Sequence, residues 1–284
     1  MKINPFILRI SVFLMGLSFL ASCDDPIDIE LDKGPERLVV DAWLHHNITS
    51  GDVAPDTIKL RWTAPYFESA PAPKASGALV VLSDNTGLSD TLPEVSPGNY
   101  ITVKTIREPG RSYKLYIRIR GEEYEGFAEL RPVPPIDSLK AIFEPKSRPP
   151  RDSGFYLFYY GPETPGSGDF YRFKTYVNRK LLNKASDLAF TSDQFLREVV
   201  YIDSLEINFL PFDRGDTVKV ETLSITEDNF YFFTELQGQI NNGGLFAQPP
   251  ANVRCNVKNK NPKGPPAQGY FGASGVSWAE IICR

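Results

Sequence analysis

Tyr113-Lys-Leu-Tyr-Ile-Arg-Ile-Arg120 places Lys114, Tyr116, Arg118 and Arg120 on one side of an extended chain. Tyr113, Leu115, Ile117 and Ile119 fall on the other. This alternation has the period of a strand with one face in a core and one in water. Gly121-Glu122 supplies a tight turn, and Tyr124-Glu125-Gly126-Phe127 runs back. The same pattern repeats outward from this hairpin. Arg37–His45, Thr57–Thr63, Ala78–Ser83, Tyr100–Thr105, Ser112–Arg120 and Glu123–Glu129 are short runs rich in Val, Ile, Leu and Tyr, separated by Gly, Pro, Asn or Asp. Runs at this spacing predict an immunoglobulin- or fibronectin-like β-sandwich over 37–131.

Arg131-Pro-Val-Pro-Pro135 reads as a stiff, extended connector to a second domain over 136–284. That domain is also mainly β, a sandwich or barrel-like form. Its expected strands are Ile136–Glu144, Phe155–Tyr160, Phe170–Val177, Val199–Ile202, Leu205–Phe209 and Asp216–Ser224, closed by Tyr270–Ala273 and Val276–Ile282. One segment departs from the pattern. Ser224-Ile-Thr-Glu227 has capping-box spacing, Phe230, Phe233, Leu236 and Ile240 recur at helical spacing, and Asn241-Asn242-Gly243 is a stop. A helix near 226–241 packed on a sheet is expected.

Over 284 residues, 42% hydrophobic and 12% aromatic content excludes disorder and allows a sizeable core. A net charge of −4 provides no field drawing the chain onto phosphate backbones, so no nucleic-acid partner is expected.

The N-terminus carries an address. Lys2 and Arg9 precede the apolar run Ile10–Leu20, which is shorter than the ~20 residues a bilayer span needs. Leu20-Ala-Ser-Cys23 then resembles a bacterial lipobox. Residues 1–22 read as a signal peptide, with Cys23 taking a diacylglyceryl group as first mature residue. The usual three acyl chains exceed the two signals a stable anchor needs. Asp24 and Asp25 open an acidic, aperiodic stretch through residue 36, read as a flexible tether. Acidic residues directly after a lipid cysteine also resemble the surface-export signal of Bacteroidota lipoproteins.

Candidate chemistry is sparse. His45-His46 holds both histidines, and adjacent strand residues point to opposite faces, so they do not converge on one metal. Asp84-Asn-Thr-Gly-Leu-Ser-Asp90 lacks the ligand spacing of a calcium loop and reads as a hairpin turn. Asp213-Arg-Gly-Asp216 reads as a turn, and Gly161–Gly168 as a surface loop without the lysine of a phosphate loop. Asp169, beside Tyr171 and Arg172, is the first carboxylate to inspect for hydrolysis, against a role in bonding a loop or pairing an arginine. An exported compartment permits a Cys255–Cys283 disulfide, closing a loop of about 28 residues for ~3 kcal/mol in the chain-entropy model; two separate thiols are the alternative. Phe155-Tyr-Leu-Phe-Tyr-Tyr160 carries aromatics on both faces, as core or interface. No catalytic residue, metal or cofactor is nominated.

Leu38-Val-Val-Asp-Ala-Trp43, Ala78–Gly87, Pro97-Gly-Asn-Tyr100, Pro109–Leu115, Pro135–Leu139, Gly168–Arg172, Gly215–Val218, Leu223–Thr226, Pro250–Val253, Asn256 and Gly269–Ala273 follow the lipobox in order. This ordered set resembles the Bacteroidota surface lipoproteins of domain of unknown function family 4249. The resemblance implies a non-enzymatic binding or docking subunit of a TonB-dependent outer-membrane β-barrel, lipid-anchored and facing the cell exterior, with its ligand unspecified. It transfers no catalytic residue. A surface adhesin or envelope-scaffold lipoprotein, and a carboxylate-based hydrolase, are the competing classes.

Overall fold

In a computed structural model, described over residues 34–51, 54–65, 70–146, 152–164, 168–193, 201–207, 211–243, 249 and 251–284, the 113–119 run is a strand. Tyr113, Leu115, Ile117 and Ile119 are buried, as the alternation requires. Its return pairs Ile119 with Glu122, so the two-residue loop is Arg120-Gly121, one position earlier than expected. Both take positive φ, 49° and 82°, the geometry of a hairpin loop that matches strand twist.

The strands in chain order are β1 (Leu38–Asn47), β2 (Thr57–Trp62), β3 (Leu79–Asp84), β4 (Ser89–Thr91), β5 (Glu94–Ser96), β6 (Asn99–Ile101), β7 (Ser112–Ile119), β8 (Glu122–Glu129) and β9 (Ser138–Glu144). There follow β10 (Gly154–Pro162), β11 (Phe170–Val177), β12 (Lys180–Leu181), β13 (Ala189–Ser192), β14 (Tyr201–Glu206), β15 (Thr217–Ile225), the helix α1 (Glu227–Ile240), β16 (Val257–Asn259) and β17 (Gln268–Ile282). The chain is mainly β with one α-helix among the described residues.

A large sheet runs β12-β11-β15-β17-β1-β2-β6-β5, with β13 also on β11. A five-stranded sheet, β16-β8-β7-β3-β4, packs on one of its faces. Leu38, Val40, Ala42 and Leu44 of β1 there meet Leu115, Ile117, Val80 and Phe271 in a sandwich core. A three-stranded sheet, β14-β10-β9, covers the same face further along, where Phe155 and Leu157 pack against Val218 and Val220 of β15. On the opposite face α1 lays Phe232 and Phe233 against Phe170 and Tyr270.

The expected division at 131–136 is thus not a break in the large sheet. β1 and β2 come from before it and β11, β15 and β17 from after it, and residues 35–284 form one compact unit. The physical cause is β17. Its 15 residues span about 50 Å at ~3.3 Å per residue. It pairs in parallel with β1 through Val39–Asn47 at one end, and antiparallel with β15 through Leu223–Thr217 at the other. The Pro-rich segment is a seam crossing this strand, not a free linker. The Arg131 carbonyl accepts from Gly275 N (3.1 Å) and Ser224 Oγ (2.7 Å), Ile136 N donates to Ser277 Oγ (2.9 Å), and Leu130 and Val133 are buried.

Candidate functional site

The helix starts immediately after β15. Its N-cap is Thr226, whose Oγ1 accepts from Asn229 N at 3.3 Å. Ser224, expected as the cap, instead donates to the Arg131 carbonyl, so the cap lies two residues further on. This start turns Asn229 inward. A cleft of about 380 Å³ opens between the first turn of α1, Tyr270–Ala273 of β17 and Phe127–Glu129 of β8.

Asn229 lines that cleft at 2% exposure, and neither its Oδ1 nor its Nδ2 has a hydrogen-bond partner. A buried polar group left unpaired costs about 1–3 kcal/mol. The rim is fixed by Asp228, which accepts from Tyr270 Oη at 2.8 Å and Arg254 Nη1 at 2.9 Å. Burial and then the Asp228 carboxylate push the Tyr270 phenol well above its ordinary pKa, so it stays a donor. The β8 wall offers backbone groups. Leu130 bonds toward β7 through Arg111, whereas the Glu123 and Phe127 carbonyls face the other way, toward Lys260 and Asn256. By the same alternation Glu129 turns its amide and carbonyl to the cleft. Phe127 is 62% exposed beside it. The lining residues comprise carboxylates, an unpaired amide and aromatic surface, without a histidine, cysteine, lysine or arginine. That set suits holding a neutral polar molecule through paired donor and acceptor groups.

Cys23, Asp24 and Asp25 lie outside the described residues. His45 and His46 fall on opposite faces of β1. His45 Nδ1 is 2.8 Å from Asp56 Oδ1, while Asp56 Oδ2 accepts from Arg107 Nη1 at 2.9 Å. Among the described residues, no three His, Cys, Asp or Glu groups are placed to hold a metal. Asp84 is a turn residue, accepting from Thr86 and Leu88 amides and paired with Arg111. Asp213–Asp216 is likewise a turn, with Asp213 N donating to Asp216 Oδ2 at 3.0 Å.

Asp169 is gathered with Glu163 and Asp193. Burial pushes the pKa values of Asp169 and Glu163 up, and the neighbouring carboxylates add to it. Glu163 accepts from Tyr171 Oη at 2.6 Å and Asp193 from Gly168 N at 3.0 Å, which ties the loop around residue 168 to β11 and β13. The void beside them is about 20 Å³, room for about one water.

The expected Cys255–Cys283 disulfide is absent: both thiols are free. Cys255 packs on the sandwich core, and Asn256 next to it bonds Phe271, whereas Cys283 is buried with Phe155 and Val218. Cys283 follows the end of β17, twelve residue steps from Phe271 and about 40 Å along the extended chain. A disulfide needs Cα atoms within ~7 Å. The aromatic strand is β10, with Phe155 and Tyr156 buried and Tyr160 under Lys140.

A family model described as "Domain of unknown function (DUF4249)" matches residues 24–279. The chain belongs to the DUF4249 family. The search of curated proteins finds no match. In this DUF4249 chain the matched segment contains the whole cleft and begins one residue after Cys23.

Sequence reasoning passed over Asn229 because a polar residue in a first helical turn reads as capping. A signal was present: 229, 232/233 and 236 share one helical face, so Asn229 is a polar residue in an apolar stripe. Arg172 and Lys174 were passed over because alternating cations in a strand normally face water.

Proposed function

We propose that this DUF4249 protein is a lipid-anchored outer-membrane lipoprotein that binds a small neutral polar ligand and docks beside a TonB-dependent β-barrel, without chemistry of its own. The observation that carries binding is the unpaired Asn229 amide in the cleft. A donor and an acceptor held dry and unused match a ligand amide or a pair of sugar hydroxyls, which would recover the cost of burying them. The lipobox at Cys23, the acidic residues after it and the resemblance described above support the membrane half. An anchor confines the protein to two dimensions and raises its effective concentration beside a barrel.

An adhesin or scaffold reading has one observation in its favour. β9 pairs only with β10 among the described strands, and Ile142 and Phe143 on it are exposed. Affinity purification of the tagged full chain from outer membranes separates the readings. We expect an acylated Cys23 peptide and a plug-bearing barrel in the eluate, with docking retained in Asn229→Leu. An unacylated, freely secreted chain, or an acylated one that brings down no barrel, overturns the docking proposal.

A further inference from the structure

Arg172 and Lys174 of β11 lie on the same face of the large sheet as Trp43 and His45 of β1, although β15 and β17 run between those strands. In a flat sheet the two strands would stand about 14 Å apart. Yet Lys174 Nζ lies 3.5 Å from His45 Nε2, and the Arg172 guanidinium lies 4.4 Å from the Phe233 ring and 5.8 Å from the Trp43 ring. The face is therefore curled, and both cations lean inward over it.

The acidic groups around this face are already engaged. Asp41 holds Trp43 Nε1 (2.9 Å) and Lys59 (3.8 Å), and Asp56 holds His45 and Arg107. Glu221 holds Lys219 Nζ (2.8 Å) and Tyr176 Oη (3.1 Å). The His45 imidazole, with Nδ1 on Asp56 and Nε2 toward Lys174, supplies no negative charge whether neutral or protonated. Arg172 makes no hydrogen bond or ion pair with any described residue, and its Nε is buried without a partner. Ser274 pairs with His45 across the β1–β17 ladder, faces the same side, is fully buried, and its hydroxyl also has no partner.

We propose that Arg172, Lys174 and Ser274 form a binding site for an oxyanion, the carboxylate or phosphate group of a small ligand. Arg172 presents a planar donor fork, held in place by the aromatic rings on which it rests, and such forks match oxyanions with paired hydrogen bonds. Lys174 adds a second positive charge and Ser274 a hydroxyl donor. Burial, reinforced by Arg172, pushes the Lys174 ammonium down to about 8, a cost that a bound anion reverses. Asp41 acts on both cations, and Glu221 and Asp56 on Lys174, but only at a distance and not as direct ion pairs, so burial of the two cations is a penalty to folding that a directly bonded anion reduces.

The site does not depend on the cleft at Asn229, and one set of titrations separates them. Calorimetry on the full chain at pH 7 uses inorganic phosphate and succinate as probes. We expect one saturable equivalent of at least one probe, and the preferred probe distinguishes a phosphate from a carboxylate ligand. Binding should weaken at least 10-fold in Arg172→Gln and in Lys174→Gln, less in Arg172→Lys, and remain unchanged in Asn229→Leu. Arg172→Lys retains the charge and the aliphatic stem, so the comparison stands if Arg172→Gln does not fold. The absence of saturable binding by both probes overturns the proposal, as does affinity indifferent to Lys174→Gln and Arg172→Lys.

Discussion

The side-chain amide of Asn256 pairs with the backbone of Phe271 in both directions. Its Oδ1 accepts from Phe271 N at 2.9 Å and its Nδ2 donates to the Phe271 carbonyl at 2.7 Å, with a further bond to the Phe127 carbonyl at 2.9 Å. One side chain thus acts as a missing strand residue, stitching β17 of the large sheet to β8 of the sandwich sheet. Asn256→Ala leaves these backbone groups unsatisfied and should lower unfolding free energy by about 2–3 kcal/mol. That corresponds to roughly 5–10 °C in a chain of this size, read by calorimetry. Asn256→Asp cannot donate and should lose comparably; an unaltered melting temperature in both would refute the role.

Asp90 is 2% exposed and accepts from the amides of Val103, Lys104 and Thr105 and from Thr105 Oγ1. Burial alone would raise its pKa, but these bonds outweigh it and hold the carboxyl below its ordinary range. The folded pKa lies below the unfolded one, so the stabilisation is complete above the unfolded value near 4 and fades as pH falls through the folded value. Denaturant unfolding between pH 2 and 6 should show that slope, reduced in Asp90→Asn. Equal slopes in the two proteins would count against it.

Lys174 has the opposite linkage. Its folded pKa near 8 is below the ordinary 10.5, so protonation opposes folding. Stability should rise as pH climbs from about 8 toward 10.5, provided the groups facing it are accounted for: Arg172 and Tyr176 on its own strand, His45 and Asp41 on β1, Glu221 on β15, and Asp56. Lys174→Met should remove that part of the rise and increase stability at pH 7. A variant as pH-sensitive as the parent in this window would show that Lys174 is not the group responsible.

Gly272 gives Trp43 its seat. A Cβ there would overlap the six-membered ring of the indole, which stacks on Phe233 at 5.8 Å and on Tyr270 at 6.0 Å. Gly272→Ala should destabilise by about 1–3 kcal/mol through overpacking. It should also red-shift the emission attributable to Trp43, measured against Trp43→Phe. A substitution neutral in both readouts would mean the ring has room to move.

Asn229→Leu should be neutral or stabilising, because it replaces two unpaired buried polar atoms with apolar surface. A clear loss of melting temperature would show that the amide has a structural partner instead of awaiting a ligand.

Local pattern made the strands legible wherever one face is dry and the other wet. β11 occurs over Phe170–Val177 as its periodicity predicts, and α1 over Glu227–Ile240 within the expected 226–241. Tyr100–Thr105 shortens to a strand ending at Ile101, because the amides of 103–105 wrap the Asp90 carboxylate instead of a neighbouring strand. Tyr270–Ala273 and Val276–Ile282 fuse into β17, because glycine and serine at 272–275 are there to make room for Trp43 and Arg131, not to turn the chain.

Alternation and punctuation are properties of neighbouring residues, and they settle that this is a mainly β chain with a helix over 227–240; the Leu20–Cys23 signature, equally local, is what motivates the lipid-anchor proposal. Which strands become partners is a long-range matter. Only the folded chain joins β1 to β17 across more than two hundred residues, dissolves the expected domain border and parts Cys255 from Cys283. It also leaves the Asn229 side-chain amide, Arg172 Nε and Ser274 Oγ buried without hydrogen-bond partners. Periodicity records which side of a strand is dry, but the hydrogen bonds and charges that meet a side chain come from segments far away in sequence.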